Sequence, residues 1–193
     1  MGLFDRFYPD DNELRRLLLS HSRSVATKAL AICDSHPQLP LRRTFVEAAA
    51  MLHDIGICQC SAPGICCHGQ LPYIQHGLAG AEMLRSLASA PEAAALCPQE
   101  LWEPLARVCQ RHTGAGITRA EVLAQGLPLP LPGDGSEPYM PETLEEKLIC
   151  YADKFFSKTK LDREKTVDEA VRSLAKFGDA GVARFLDWQQ LFG

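Results

Sequence analysis

The 193-residue chain has 46% hydrophobic residues, 23% charged residues and a formal net charge of −4, the balance of a globular protein long enough to bury a sizeable core. That mild negative charge offers no basic field for duplex nucleic acid but leaves a small, locally bound anion open as a partner. No apolar run approaches the ~20 residues of a membrane span, and Met1 to Asn12 lacks a cleavable apolar core, so the expected location is the cytoplasm with no membrane partner. The eight cysteines should then be reduced, and their irregular spacing suggests no disulfide framework. An oligomer stays open.

In chain order, Asp10 with Glu13 three residues later reads as a capped helix start. The helix should run to about Cys33, with Leu14, Leu17, Leu18, Val25, Ala29 and Ile32 on one face and His21 among them, pointing inward. A second helix spans roughly Leu41 to His53, with Gly56 as a plausible terminator. Cys58 to Pro72, rich in Cys, Gly and Pro, reads as a long loop of the kind that is often functional. A third helix begins near Tyr73 to His76, and a fourth covers about Pro98 to His112. Gly126 to Pro141 is a second irregular loop. Pro141-Glu142-Thr143 then opens a helix carrying Leu148, Tyr151, Phe155 and Phe156, with Asp153 in its later half. Val167 to Phe192 forms a last helix pair or one bent helix. No alternating strand pattern competes, so the fold class is all-α.

The inward His21 and the dipeptide His53-Asp54, with Asp153 far downstream, supply two imidazoles and two carboxylates, a set that suits iron, manganese, cobalt or zinc better than calcium or magnesium. His53 and Asp54 are about 100° apart on a helix, and a helix end lets both reach one ion. His76 opens a helix and His112 closes one. These two can hold a second ion with Asp54 as the bridge, or can be a helix-start residue and a dipole partner. Two ions a few Å apart can orient and activate a water and neutralise a phosphoryl group.

The ordered set His21, His53-Asp54, His76, His112 and Asp153 resembles the HD-domain superfamily of metal-dependent phosphohydrolases. His53-Asp54-Ile55-Gly56 matches its HDIG subgroup, and the resemblance covers roughly Ser20 to Lys158. It implies a compact all-helical bundle and hydrolysis of phosphate esters or anhydrides, often of nucleotides. It also implies that His21, His53, Asp54 and Asp153 bind the first metal, and that chains with histidines like His76 and His112 are often dinuclear. Arg111-His112-Thr113-Gly114 and Tyr151-Ala152-Asp153-Lys154 are similar to the HD-type diadenosine-tetraphosphate hydrolases. The Cys58–Pro72 loop and the run from Phe155 to Lys160 depart from that pattern. The cyclic-dinucleotide phosphodiesterase branch expects paired histidines and a Gly-Tyr-Pro sequence, which Arg111-His112-Thr113 does not supply.

The expectation is therefore a single domain over residues 1–193, with a metal-binding core of about 14–160 and a helical extension of about 161–193. It cleaves a small phosphorylated, nucleotide-like substrate with a metal-bound hydroxide at a centre of two ions. Iron or manganese is favoured over zinc, cobalt or nickel. His53 and Asp54 are the residues the chemistry depends on, and Lys154 or Arg111 holds a non-bridging phosphate oxygen. Lys154, Lys158 and Lys160 form either a phosphate-binding edge or a solvated helix end. Two other readings stand beside this one: a non-catalytic nucleotide-binding or regulatory module on the same scaffold, and a redox or zinc sensor built on Cys58, Cys60, Cys66, Cys67 and His68. The cysteine spacing matches no familiar zinc pattern.

Overall fold

The computed structural model describes residues 2–161 and 163–193. Its helices are α1 (Leu3–Phe7), α2 (Glu13–Ser35), α3 (Arg43–Leu52), α4 (His76–Ala88), α5 (Ala93–Leu96), α6 (Trp102–Arg111), α7 (Arg119–Gln125), α8 (Leu144–Asp153), α9 (Val167–Leu174) and α10 (Asp179–Phe192). Among the described residues the only sheet is a ribbon of β1 (Ser61–Ala62) against β2 (Cys67–His68), antiparallel, inside the cysteine-rich loop. The fold is an all-α bundle, as the sequence predicts.

The long helix α2 forms because Leu18, Val25, Ala29 and Ile32 recur at helical spacing and bury one stripe. Removing each large apolar side chain from water stabilises by about 1.5–3 kcal/mol. His21 is buried on that stripe. The cap is not Asp10: Asn12 accepts from the Arg15 backbone N–H at 2.9 Å. Both residues have the carboxyl or amide oxygen that capping needs, and the chain places the second of them at the non-helical position. Thr143 caps α8, with Glu146 reaching back to complete a capping box. The same device, Thr118 with Glu121, starts α7, a helix the sequence reading left inside a connection.

Helix α4 lies along α6, α2 along α3, and α8 packs against α2, α3 and α6; α10 covers α8 from outside. The C-terminal segment is a pair, α9 and α10, separated by a 3-10 turn and Gly178 at φ +115°. Two close approaches set the geometry around the His-Asp pair. A Cβ on Gly56 would meet the His76 carbonyl oxygen at 2.1 Å and the Gly80 nitrogen at 2.3 Å, and one on Gly77 would meet the Cys109 carbonyl oxygen at 2.4 Å. Glycine is thus what lets the turn after Asp54 rest on the start of α4, and α4 rest on α6.

Candidate metal centre

Four helix ends and one helix middle deliver the polar core of the molecule. His53 caps the C-terminus of α3, and Asp54 follows it at φ −105°, ψ 8° before the 3-10 turn Ile55–Gln59. His76 is the first residue of α4, His112 caps α6, and Asp153 is the last residue of α8, which ends before the Phe155 and Phe156 that the sequence analysis places in it. His21 sits mid-way along α2. All six are buried.

Three imidazoles share one orientation device. The Nδ1 atoms of His53, His76 and His112 lie 2.7 Å from the carbonyl oxygens of Ala50, Tyr73 and Cys109, each three residues earlier. Nδ1 therefore carries the donated proton and Nε2 faces inward. All three imidazoles sit at a helix end. Tyr73 also stacks on His76, ring centroids 4.7 Å apart. Two thiols donate to the same backbone: Cys109 to the Leu52 carbonyl at 3.3 Å and Cys150 to the His112 carbonyl at 3.2 Å.

Asp54 faces two ways. Its Oδ2 is 3.1 Å from both His21 Nε2 and His53 Nε2, while its Oδ1 is 3.4 Å from His76 Nε2 and 3.3 Å from His112 Nε2. Asp153 Oδ1 lies 3.0 Å from His21 Nε2 and 3.5 Å from His53 Nε2. Two groupings therefore have ligand atoms within 4.8 Å of one another: His21, His53, Asp54 and Asp153, and Asp54, His76 and His112. In the second, His76 Nε2 and His112 Nε2 approach to 3.0 Å, two lone pairs aimed at each other. Both Asp54 oxygens, His53 Nε2 and His21 Nε2 lie at ion-pair distance from neighbours, yet none completes a hydrogen bond of good geometry. Buried polar atoms left this way cost about 1–3 kcal/mol each. A cation in each grouping satisfies them, so the donor set fits two transition-metal ions.

The electrostatics agree. Burial pulls the His76 imidazole down to about 3, with the adjacent His112 acting in the same direction, and burial also lowers His112. Burial acts against a charge on His53, but the Asp54 and Asp153 carboxylates overcome it and push that imidazole up to about 9. Burial raises both carboxyl groups, and the neighbouring cations outweigh it, Lys158 foremost for Asp54 and Lys154 for Asp153, so both are held well below the usual carboxylate range.

Of the other residues singled out from sequence, Lys154 places its Nζ 2.8 Å from Asp153 Oδ2. Lys158 goes further inward than a phosphate-binding edge requires: its Nζ is 2.6 Å from Asp54 Oδ2, beside the Tyr73 ring. Nothing in a local pattern announces that contact, because Lys158 reaches the centre from a turn beyond α8. Arg111 is not at the cluster's ligand atoms. Its Nη1 lies 2.9 Å from Glu142 Oε1 and 3.2 Å from Glu146 Oε2, in a network with Arg107 that ties α6 to α8. The eight cysteines are free thiols. Among the described residues neither metal-competent grouping includes a cysteine, so the zinc version of the cysteine-loop reading has no geometric support.

The HD domain family profile matches residues 18–157. The protein MJ0778 of Methanocaldococcus jannaschii is 35% identical over 161 residues, covering 82% of this chain and 76% of that protein. A tRNA (cytidine(56)-2'-O)-methyltransferase of Picrophilus torridus is 30% identical over 165 residues. That match covers 81% of this chain but spans only 39% of the methyltransferase. In space, the HD domain of the L. monocytogenes phosphodiesterase PgpH superposes with a TM-score of 0.51 at 20% identity, covering 93% of this chain and 87% of that one, a shared fold. With the family profile spanning the segment that carries all six converging side chains, the chain belongs to the HD domain family.

Proposed function

We propose that the chain is a metal-dependent phosphohydrolase that cleaves an ester or anhydride bond of a nucleotide-like substrate at a two-ion centre. The observation that carries this reading is the two-sided Asp54, whose oxygens each face a different pair of imidazoles. His21, His53, Asp54 and Asp153 hold one ion, and Asp54, His76 and His112 the other. When bound, such ions supply Lewis-acid charge to phosphoryl oxygens and make an activated water available near neutral pH.

The chain's own contribution is to fix, neutralise and exclude. The three carbonyl-anchored imidazoles keep Nε2 aimed inward, so their rings need no reorientation when cations arrive. Lys154 and Lys158 neutralise Asp153 and Asp54 in the absence of other cations. The same two ammonium groups lie where they would hold non-bridging oxygens of a phosphate at the centre. Arg111 then acts at one remove, as a positioning residue that fixes the end of α6 and with it His112. A nucleotide as substrate is consistent with the complex of the PgpH HD domain with cyclic-di-AMP.

The test is elemental analysis of purified protein joined to a phosphate-release screen over mono- and dinucleotides. Asp54→Ala should lose activity by more than ~100-fold, beyond the effect of disturbing an outer-shell partner, with its far-UV helical signal intact. A metal-loaded protein inert on the whole panel, yet thermally stabilised by one nucleotide, would instead establish a non-catalytic binding module.

A further inference from the structure

A cleft of about 530 Å³ is lined by Lys160, Arg163, Lys165, Arg172 and Lys176, with Ser157 and Thr159 from the turn after α8. Among the described residues Glu169 is the one carboxylate in that lining. It is already engaged by Arg163 and by the Thr166 backbone N–H at 2.9 Å. Among the described residues, Lys165, Arg172 and Lys176 have no ion-pair partner. On a chain with a net charge of −4, this is a local concentration of the opposite sign in a concave wall, which focuses its field on what enters.

One turn and one side chain link the walls of the cleft to the centre. In the turn closed by the Ser157–Lys160 bridge, Lys158 reaches Asp54, while Ser157, Thr159 and Lys160 line the cleft. Lys165 Nζ is 3.2 Å from the Lys154 carbonyl oxygen, and Lys154 Nζ is 2.8 Å from Asp153. Burial lowers the Lys165 ammonium; the Asp153 and Glu169 carboxylates oppose that, and the Lys154 and Lys158 charges add to it. Cations thus run from Lys158 and Lys154 at the ligands, through Lys165, to Arg172 and Lys176 on α9 and the 3-10 turn that continues it.

Resting on the phosphohydrolase reading of the centre, we infer that this cleft is the subsite for further phosphates of the substrate, so that the substrate class is a chain of linked phosphates rather than a phosphomonoester. Two sources carry that chemistry: a nucleoside polyphosphate and a short single-stranded oligonucleotide.

The test is binding to the metal-loaded full chain of two poorly hydrolysed probes, a methylene-bridged ATP and a phosphorothioate hexanucleotide, with AMP as the one-phosphate comparison. Arg172 and Lys176 are exposed, and Arg172→Glu/Lys176→Glu should raise the dissociation constant of at least one multi-phosphate probe about tenfold or more, through loss of two charge-assisted contacts. The AMP constant should move much less. For the hexanucleotide, the dependence of log affinity on log salt should also flatten by about 1.4, given ~0.7 per single-strand phosphate contact. Loss confined to the ATP analogue identifies a nucleoside polyphosphate, and loss confined to the hexanucleotide identifies a strand. No loss for either probe, or an equal loss for AMP, overturns the subsite. If the double variant melts early, Arg172→Gln/Lys176→Gln is measured in its place. Binding loss in a protein that hydrolyses nothing leaves the cleft standing and removes only the phosphohydrolase reading. Hydrolysis in the wild type with unchanged binding in the variant removes only the cleft.

Discussion

Asp54 can bridge two ions only if the imidazoles around it present lone pairs, and the four differ in how ready they are. Burial lowers both His76 and His112, so both are neutral and ready to bind at neutral pH. His53 is pushed up to about 9 by its two carboxylates, so at neutral pH a metal must displace its proton. Affinity of the first site should therefore rise with pH by up to about tenfold per unit until about pH 9, with release of close to one proton per chain near neutrality. Calorimetric metal titration in buffers of different ionisation enthalpy reads both quantities. Equal affinities at pH 6.5 and 8.5 would contradict this account. The metal-free fold follows the same sign. Because the folded value for His53 lies above its ordinary one, the stabilisation it gives is complete below ~6.5 and fades as pH rises through about 9.

At the scale of elements, the centre depends on how closely a turn can lie on a helix. Gly56→Ala drives a methyl into the His76 carbonyl and the Gly80 nitrogen, both backbone atoms that cannot swing aside. The variant should lose about 1–3 kcal/mol, seen as a lower urea midpoint with unchanged slope, and should bind metal more weakly because His76 moves with α4. A wild-type midpoint and wild-type metal affinity would show that the approach is not tight. The sequence alone carried the parts of this that depend on periodicity. His21 was legible because it interrupts an apolar stripe of α2, and His76 and His112 because they stand at a helix start and end. Less was legible where several residues share one chemistry or where an element is short. Asp10 and Asn12 are equally able caps, α7 has only 7 residues, and β1 and β2 have 2 each, too few for alternation to show. The Lys158–Asp54 contact spans 104 positions, 158 less 54, and joins a turn to a helix end. No local pattern encodes it.

For the molecule as a whole, segments from α2, α3, α4, α6 and α8 meet at one buried polar cluster in which His21, His53 Nε2 and both Asp54 oxygens lack good partners. Metal is therefore expected to hold these helices together as well as to serve chemistry. A free ion at 100 times its dissociation constant adds about 2.7 kcal/mol per site. For a chain of this length that raises Tm by roughly 5–10 °C, so a chelator should lower the melting temperature by that order. A Tm indifferent to chelation would mean that the cluster is satisfied without ions. The two-sided carboxylate itself is tested most directly by counting. After reconstitution with manganese(II) and removal of excess ion, elemental analysis should find two ions per chain in the wild type, one in His76→Ala, and almost none in Asp54→Ala. One ion in the wild type, unchanged in His76→Ala, would contradict a centre built on a bridging Asp54.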